Sequence, residues 1–132
     1  MLEIDKSEKP KLLHEETTGK IIGAAFEVHA QLGYGFRKRV YQRALQVELH
    51  RRGATGELEE RVQVQYKGVI VGDYDVDLFV DSCVAVEIKI APQYHKRDEA
   101  YLLNELKATG LKVGMLVNFG RSSKVEYKRL VF

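Results

Sequence analysis

The sequence predicts a mixed α/β domain in which helices flank a central sheet, in the order α-α-β-β-β-α-β-β. Early segments repeat apolar side chains at helical spacing, and middle segments alternate them with a period of two. Residues 113–119 are nearly all apolar, which is typical of a strand covered on both faces. The chain has 132 residues, 45% of them apolar, without repeat or linker. We therefore expect a polar leader at residues 1–14 and a single domain at residues 15–132.

The first two predicted elements are helices. Thr17 or Thr18 can cap the first helix, which carries apolar positions from Ile21 to Leu32 and stops at the Gly-Tyr-Gly sequence of residues 33–35. The second helix starts near residue 36, and Gly53 is placed to end it. Two adjacent helices therefore precede the sheet.

The remaining elements are strands and one further helix. Alternating side chains and turn residues predict strands near residues 58–66, 69–80 and 83–90. A helix near residues 96–109 ends at a glycine, and strands near 113–119 and 124–132 follow it. The last segment alternates less cleanly, so we expect an edge strand there. An exposed edge of this kind is compatible with a homodimer.

Composition excludes several classes of protein. The apolar runs are far shorter than the roughly 20 residues that cross a bilayer, so we expect no membrane span. The start of the chain alternates charges where a secretory signal needs an apolar stretch, and the lone Cys83 cannot form an internal disulfide. We therefore expect a cytoplasmic protein. The net charge of +2 identifies no partner, but residues 36–52 are strongly basic and residues 73–87 strongly acidic.

The predicted hairpin at residues 69–90 gathers charged side chains on one face. If its turn is centred on Ser82, residues whose numbers sum to 164 lie opposite each other, so Asp77 faces Glu87 and Asp75 faces Lys89. The opposite face is then apolar and must be buried. Its members are Val76, Leu78, Val80, Val84, Val86, Ile88 and Ile90.

Two carboxylates opposite each other on antiparallel strands repel, because their Cβ atoms are only about 4.5–5.5 Å apart. A divalent cation such as Mg²⁺ would compensate for Asp77 and Glu87, and Lys89 on the same face could then activate a water molecule. Alternatively, Lys89 simply neutralises the two acids as a cross-strand ion cluster. Spacing alone leaves both interpretations open.

Asp77 followed ten residues later by Glu87-Ile88-Lys89 resembles the D-x(n)-ExK motif of PD-(D/E)XK nucleases. The chain is more closely similar to the small bacterial GxxExxY proteins, through residues 18–29, 35–41, 102–104, 107–114 and 118–120. This resemblance implies a restriction-endonuclease-like core and hydrolysis of nucleic acid. It also implies a site for Mg²⁺ or Mn²⁺ at Asp77, Glu87 and the Ile88 carbonyl, with Lys89 beside the attacking water.

The resemblance fails at two functional positions. Lys38 stands where the family has its name-giving glutamate, and Tyr101 where a helix glutamine commonly accompanies the site, whereas Tyr41 is retained as a site-supporting residue. If Lys38 points toward the acids it repels a metal ion, and the protein is a catalytically inactive binder of nucleic acid or of a protein. If Lys38 points to solvent, a metal-dependent nuclease remains, and a basic helix surface contacts phosphates. That surface comprises Arg37, Lys38, Arg39 and Arg43.

Overall fold

The computed structural model describes residues 12–93 and 95–132, so most of the predicted polar leader lies outside the described residues. The helices are α1 (Glu15–Leu32), α2 (Lys38–Arg51) and α3 (Lys96–Thr109). The strands are β1 (Gly56–Tyr66), β2 (Val69–Val80), β3 (Val84–Lys89), β4 (Val113–Asn118) and β5 (Glu126–Val131). The predicted order α-α-β-β-β-α-β-β is confirmed.

Helix α1 begins earlier than the sequence pattern predicted. Its first residue is Glu15, so the prediction that Thr17 or Thr18 caps it is wrong. Two acidic residues, Glu15 and Glu16, occupy the first turn, where negative charge is favourable beside the positive end of the helix dipole. The Thr18 hydroxyl instead lies inside the helix and donates a hydrogen bond to the Glu15 carbonyl at 3.2 Å.

The five strands form one mixed sheet in the order β1-β2-β3-β4-β5. Strands β3 and β4 are parallel, and α3 forms the crossover between them, whereas the other neighbouring pairs are antiparallel. All six residues of β4 are buried, as its apolar run predicted. Strand β5 lies at an edge of the sheet, also as predicted.

Apolar side chains cover the sheet on both faces. Helices α1 and α2 pack on one face through a cluster that includes Leu45, Leu78 and Ile88, whereas α3 packs on the other through Leu102 and Leu106. Each of these five side chains is fully buried. Burial of one such side chain stabilises the fold by about 1.5–3 kcal/mol. Packing on both faces of the sheet therefore fixes the positions of β2 and β3, which carry Asp77, Glu87 and Lys89.

Strands β1 and β2 continue beyond the sheet as a two-stranded ribbon. The pairing of β2 with β3 covers only the three pairs from Leu78↔Val86 to Val80↔Val84, whereas β1 and β2 remain paired as far as Tyr66↔Val69. We call residues 62–75 the ribbon. Near its tip, Val69, Ile70 and Val71 are exposed.

Five of the seven residues predicted for the apolar face of the hairpin lie together in the core against α1 and α2: Leu78, Val80, Val84, Val86 and Ile88. Val76 is also buried, but it packs against α3 on the opposite face of the sheet. It lies beyond the last pair of β2 with β3, where the twist of the strand turns it to that face. Ile90 is exposed because it follows the end of β3. None of the helices in residues 12–93 and 95–132 is long and apolar enough to cross a membrane.

Candidate functional site

Asp77 and Glu87 lie where strands β2 and β3 separate. The predicted register is confirmed, since the observed pairs Leu78↔Val86, Phe79↔Ala85 and Val80↔Val84 all have numbers that sum to 164. Strands β2 and β3 are no longer paired beyond Leu78 and Val86. There the side chains of Asp77 and Glu87 accept hydrogen bonds from backbone N–H groups that the partner strand does not reach. The Asp77 N–H donates to Glu87 Oε1 at 3.3 Å, and the Ile88 N–H donates to Asp77 Oδ2 at 2.8 Å. Both carboxyl groups therefore satisfy buried backbone groups.

Helix α2 approaches the same point through two side chains. The Lys38 ammonium lies 2.8 Å from Asp77 Oδ1, with the Asp77 side chain 10% exposed and the Lys38 side chain 45% exposed. The buried Gln42 donates a hydrogen bond from Nε2 to the Asp77 carbonyl oxygen at 2.8 Å. Asp77 is thus contacted at its backbone and at both carboxylate oxygens.

Glu105 of α3 is a member of the site that sequence reasoning missed. It is only 7% exposed, its carboxyl group is hydrogen-bonded to that of Glu87, and its Oε2 has no hydrogen-bond partner within the described part of the chain. The available signal was an acidic residue on the buried face of an amphipathic helix, between Leu102 and Leu106. Glutamate is rarely buried unless it is paired, and here the pairing group is the Glu87 carboxyl group.

The contact between Glu87 and Glu105 changes the ionisation of both. Burial, together with the negative charges of Asp77 and Glu105, raises the pKa of Glu87 to about 10. Burial also raises the pKa of Glu105 to about 6, although the hydrogen bond from Glu87 and the charges of Lys89 and Lys38 oppose the rise. Glu87 therefore keeps its proton at neutral pH and donates it in the hydrogen bond to Glu105.

Lys89 lies on the same strand but pairs with a different acid than predicted. Its Nζ is 3.5 Å from Asp98 Oδ1, at the start of α3. Although burial opposes the shift, the backbone N–H of His95 and the charge of Lys89 hold the pKa of Asp98 below its usual value. The predicted pairing of Asp75 with Lys89 is wrong. The ribbon carries Asp75 away from β3, and its carboxylate lies 3.4 Å from Arg61 Nε.

Asn118 fixes the backbone that follows Lys89. Its amide donates to the Ala91 carbonyl at 2.8 Å, and its Oδ1 accepts from the Ala91 N–H at 3.0 Å. The Phe119 N–H donates to the Lys89 carbonyl at 3.0 Å. Gly120 packs so closely on Ala91 that an added Cβ would overlap the Ala91 backbone. The loops after β3 and β4 therefore hold each other at the end of the site.

The predicted supporting tyrosines occupy different environments. Tyr41 is fully buried, stacks on the Phe119 ring at 4.6 Å, and donates its hydroxyl hydrogen to the Gly33 carbonyl at 2.7 Å. It thereby orders the turn that leads into α2 and Lys38. Tyr101 of α3 is 57% exposed. The predicted phosphate-contacting residues of α2 are exposed as well: Arg37, Lys38, Arg39 and Arg43.

These contacts bear on whether a divalent cation fits between Asp77 and Glu87. Lys38 contacts one oxygen of Asp77, and the Ile88 N–H contacts the other. Among residues 12–93 and 95–132, no group of three histidine, cysteine, aspartate or glutamate side chains is arranged to hold a metal ion. As arranged, the residues do not fit Mg²⁺ or Mn²⁺, because an ammonium group already neutralises the aspartate.

Comparison with known proteins gave one match. The family model of the PD-(D/E)XK nuclease superfamily matches residues 15–130. No curated protein and no solved structure matched the chain. The mixed sheet with helices on both faces agrees with the restriction-endonuclease-like core that the sequence predicted.

Proposed function

The chain belongs to the PD-(D/E)XK nuclease superfamily, and we propose on this basis that it is a nucleic-acid-binding protein whose cleavage site is closed to divalent metal by Lys38. Within the superfamily we assign it to the GxxExxY proteins, with residues 15–132 as one domain. This assignment rests on the sequence stretches that resemble that group. The proposal favours the inactive alternative among the two functions that the sequence left open.

The single observation that carries the proposal is the ion pair between Lys38 and Asp77. At 2.8 Å and an effective dielectric constant near 20, two unit charges attract by on the order of 6 kcal/mol before desolvation is subtracted. A divalent cation would have to displace this ammonium group from a nearly buried carboxylate. Solvent screening reduces this attraction, because the Lys38 side chain is 45% exposed, but a weakly bound magnesium ion must still overcome it to reach Asp77.

The basic surface at the start of α2 supports binding of nucleic acid. Arg37, Arg39 and Arg43 are exposed there, and Lys38 adds a positive charge at the edge of the site. Cations in such an arrangement contact phosphates and give affinity without sequence information. We therefore expect binding in the absence of metal, and a strong decrease in affinity as salt concentration rises.

A second candidate function is metal-dependent phosphodiester hydrolysis. The observation in its favour is that the Lys38 side chain is 45% exposed, so a bound substrate phosphate could draw it away from Asp77. Asp77, Glu87 and the Ile88 carbonyl are then the groups that would hold Mg²⁺ or Mn²⁺. Lys89 lies on the same strand beside them.

Thermal-shift titration with MnCl₂ separates the two functions. We expect no shift for the wild type. The variant Lys38→Glu with Glu105→Gln should be stabilised by about 2.7 kcal/mol when the ion is at 100 times its Kd. The second substitution limits the repulsion between the new carboxylate and the existing acids. Arg43→Glu with Glu105→Gln, which reverses a charge elsewhere on α2, is the matched control and should not respond.

Cleavage assays can contradict the proposal that the protein is inactive. If the wild type cleaves DNA or RNA with Mg²⁺ or Mn²⁺, and both Asp77→Ala and Lys89→Ala abolish this activity, the inactive assignment is wrong. Fluorescence anisotropy in EDTA tests binding itself. We expect the wild type to bind oligonucleotides under these conditions and Arg37→Ala with Arg43→Ala to weaken binding for every sequence.

A further inference from the structure

An open crevice of about 410 Å³ lies between the ribbon and α3. Its polar lining comes from two directions. The ribbon contributes Gln63, Gln65 and Tyr74, and α3 contributes Asn104 and Lys107. None of Asp77, Glu87 and Glu105 lines the crevice, and neither the ion pair of Lys38 nor the basic surface of α2 involves it.

Two amide side chains of the crevice are available for a ligand. Gln65 and Asn104 are exposed, and their side chains make no hydrogen bond with other residues of the described ranges. Each amide presents a donor pair and an acceptor on one short side chain. This is the combination that pairs with the edge of a nucleobase, as asparagine and glutamine do with adenine.

Tyr74 and Lys107 supply the two other components of nucleotide recognition. Tyr74 is 36% exposed and lines the crevice, where a base can stack on its ring. Lys107 is exposed and contributes a positive charge, although its ammonium group also lies 6.0 Å from the centre of the Phe132 ring. A phosphate next to a stacked base would meet this charge.

Helix α3 contributes residues both to the crevice and to the group formed by Asp77, Glu87 and Glu105. Asn104 directly precedes Glu105, and the exposed Tyr101 lies three residues before Asn104, hence on the same side of the helix. On the ribbon side, Tyr74 lies three residues before Asp77 on the same strand.

We propose that this crevice binds an unpaired nucleobase, and that the protein consequently prefers single-stranded nucleic acid to duplex. The proposal rests on the proposed function and adds the substrate class. In a duplex the base faces are stacked and the pairing edges are occupied, so neither Tyr74 nor the amides can reach them. In a single strand, or when a base is extruded from a duplex, the base face and the pairing edge are both accessible.

Fluorescence anisotropy in EDTA tests the proposal, with a labelled 12-nucleotide adenine strand, a strand of the same length built from abasic deoxyribose, and a 12-base-pair duplex. We expect the wild type to bind the adenine strand more tightly than either comparison ligand. Tyr74→Ala and Asn104→Ala should each weaken binding of the adenine strand by roughly 10-fold, with little effect on the abasic strand or the duplex. Tyr74→Phe, which keeps the ring, should retain most of the affinity.

Matched controls come from residues outside the crevice. Tyr66→Ala removes another exposed ribbon tyrosine, and Gln31→Ala removes an exposed amide on α1; both should bind as the wild type does. Circular dichroism melting verifies that each variant is folded. If Tyr74→Ala and Asn104→Ala bind the adenine strand as tightly as these controls, the crevice assignment is overturned while nucleic-acid binding stands. If the wild type binds none of the three ligands, the proposed function fails as well.

Discussion

Replacement of Glu87 by glutamine should stabilise the protein at neutral pH. Burial and the neighbouring acids raise the pKa of Glu87 from 4.5 to about 10, so its carboxyl group stays protonated in the folded protein while it ionises in the unfolded chain. A raised folded-state pKa contributes stability that is fully present below pH 4.5 and is lost progressively as pH rises toward 10. Glutamine has no proton to lose and still offers an acceptor to the Asp77 N–H and a donor to Glu105.

The expected gain in the free energy of unfolding follows from a pH interval. Within this interval Glu87 loses its proton in the unfolded chain but keeps it in the folded protein. Each pH unit above 4.5 costs the wild type about 1.4 kcal/mol, so Glu87→Gln should gain at most about 3.5 kcal/mol at pH 7 and almost nothing at pH 4.5. Urea denaturation of both proteins between pH 4.5 and 8 measures this difference. Glu57→Gln, at an exposed position, controls for the loss of one acidic group. A difference that does not grow with pH would mean that Glu87 is ionised in the folded protein.

Two further substitutions test how the site is held in place. Asn118→Ala should lower the free energy of unfolding by about 2–4 kcal/mol in urea denaturation, because the buried amide is the hydrogen-bond partner of both backbone groups of Ala91. A loss below 1 kcal/mol would show that water replaces these bonds. Tyr41→Phe keeps the ring on Phe119 but removes the hydroxyl bond to Gly33, so a loss of about 0.5–1.5 kcal/mol is expected in the same assay. An unchanged midpoint would contradict this role of the hydroxyl group.

The order of elements and the register of the hairpin could be predicted because both depend on local patterns. Side chains alternate with a period of two along a strand, so one register alone buries Leu78, Val86 and Ile88 together. That register also brings Asp77 and Glu87 together, as the hydrogen bond from the Asp77 N–H to the Glu87 carboxyl group shows. The family motif marked the same residues independently.

Other features of the site could not be predicted, because they depend on where distant elements meet. The pairing of β2 and β3 ends after three pairs, so Asp75 follows the ribbon and Lys89 meets Asp98 instead. The half-exposed Lys38 has many rotamers open to it, and only the position of α2 over the strand ends directs it to Asp77. Glu105 lies next to Glu87 because α3 packs on the sheet, and the register of the hairpin does not predict where that helix packs.

The close packing of Gly120 on Ala91 limits how this fold can be varied or engineered. There is no room for a side chain at position 120, so a substitution of Gly120 requires the backbone at Ala91 to move as well. A graft into the segment after β3 would therefore need a compensating redesign after β4. Insertions into the distant ribbon turn at Lys67 and Gly68 carry no such constraint, since the space around Gly68 is open.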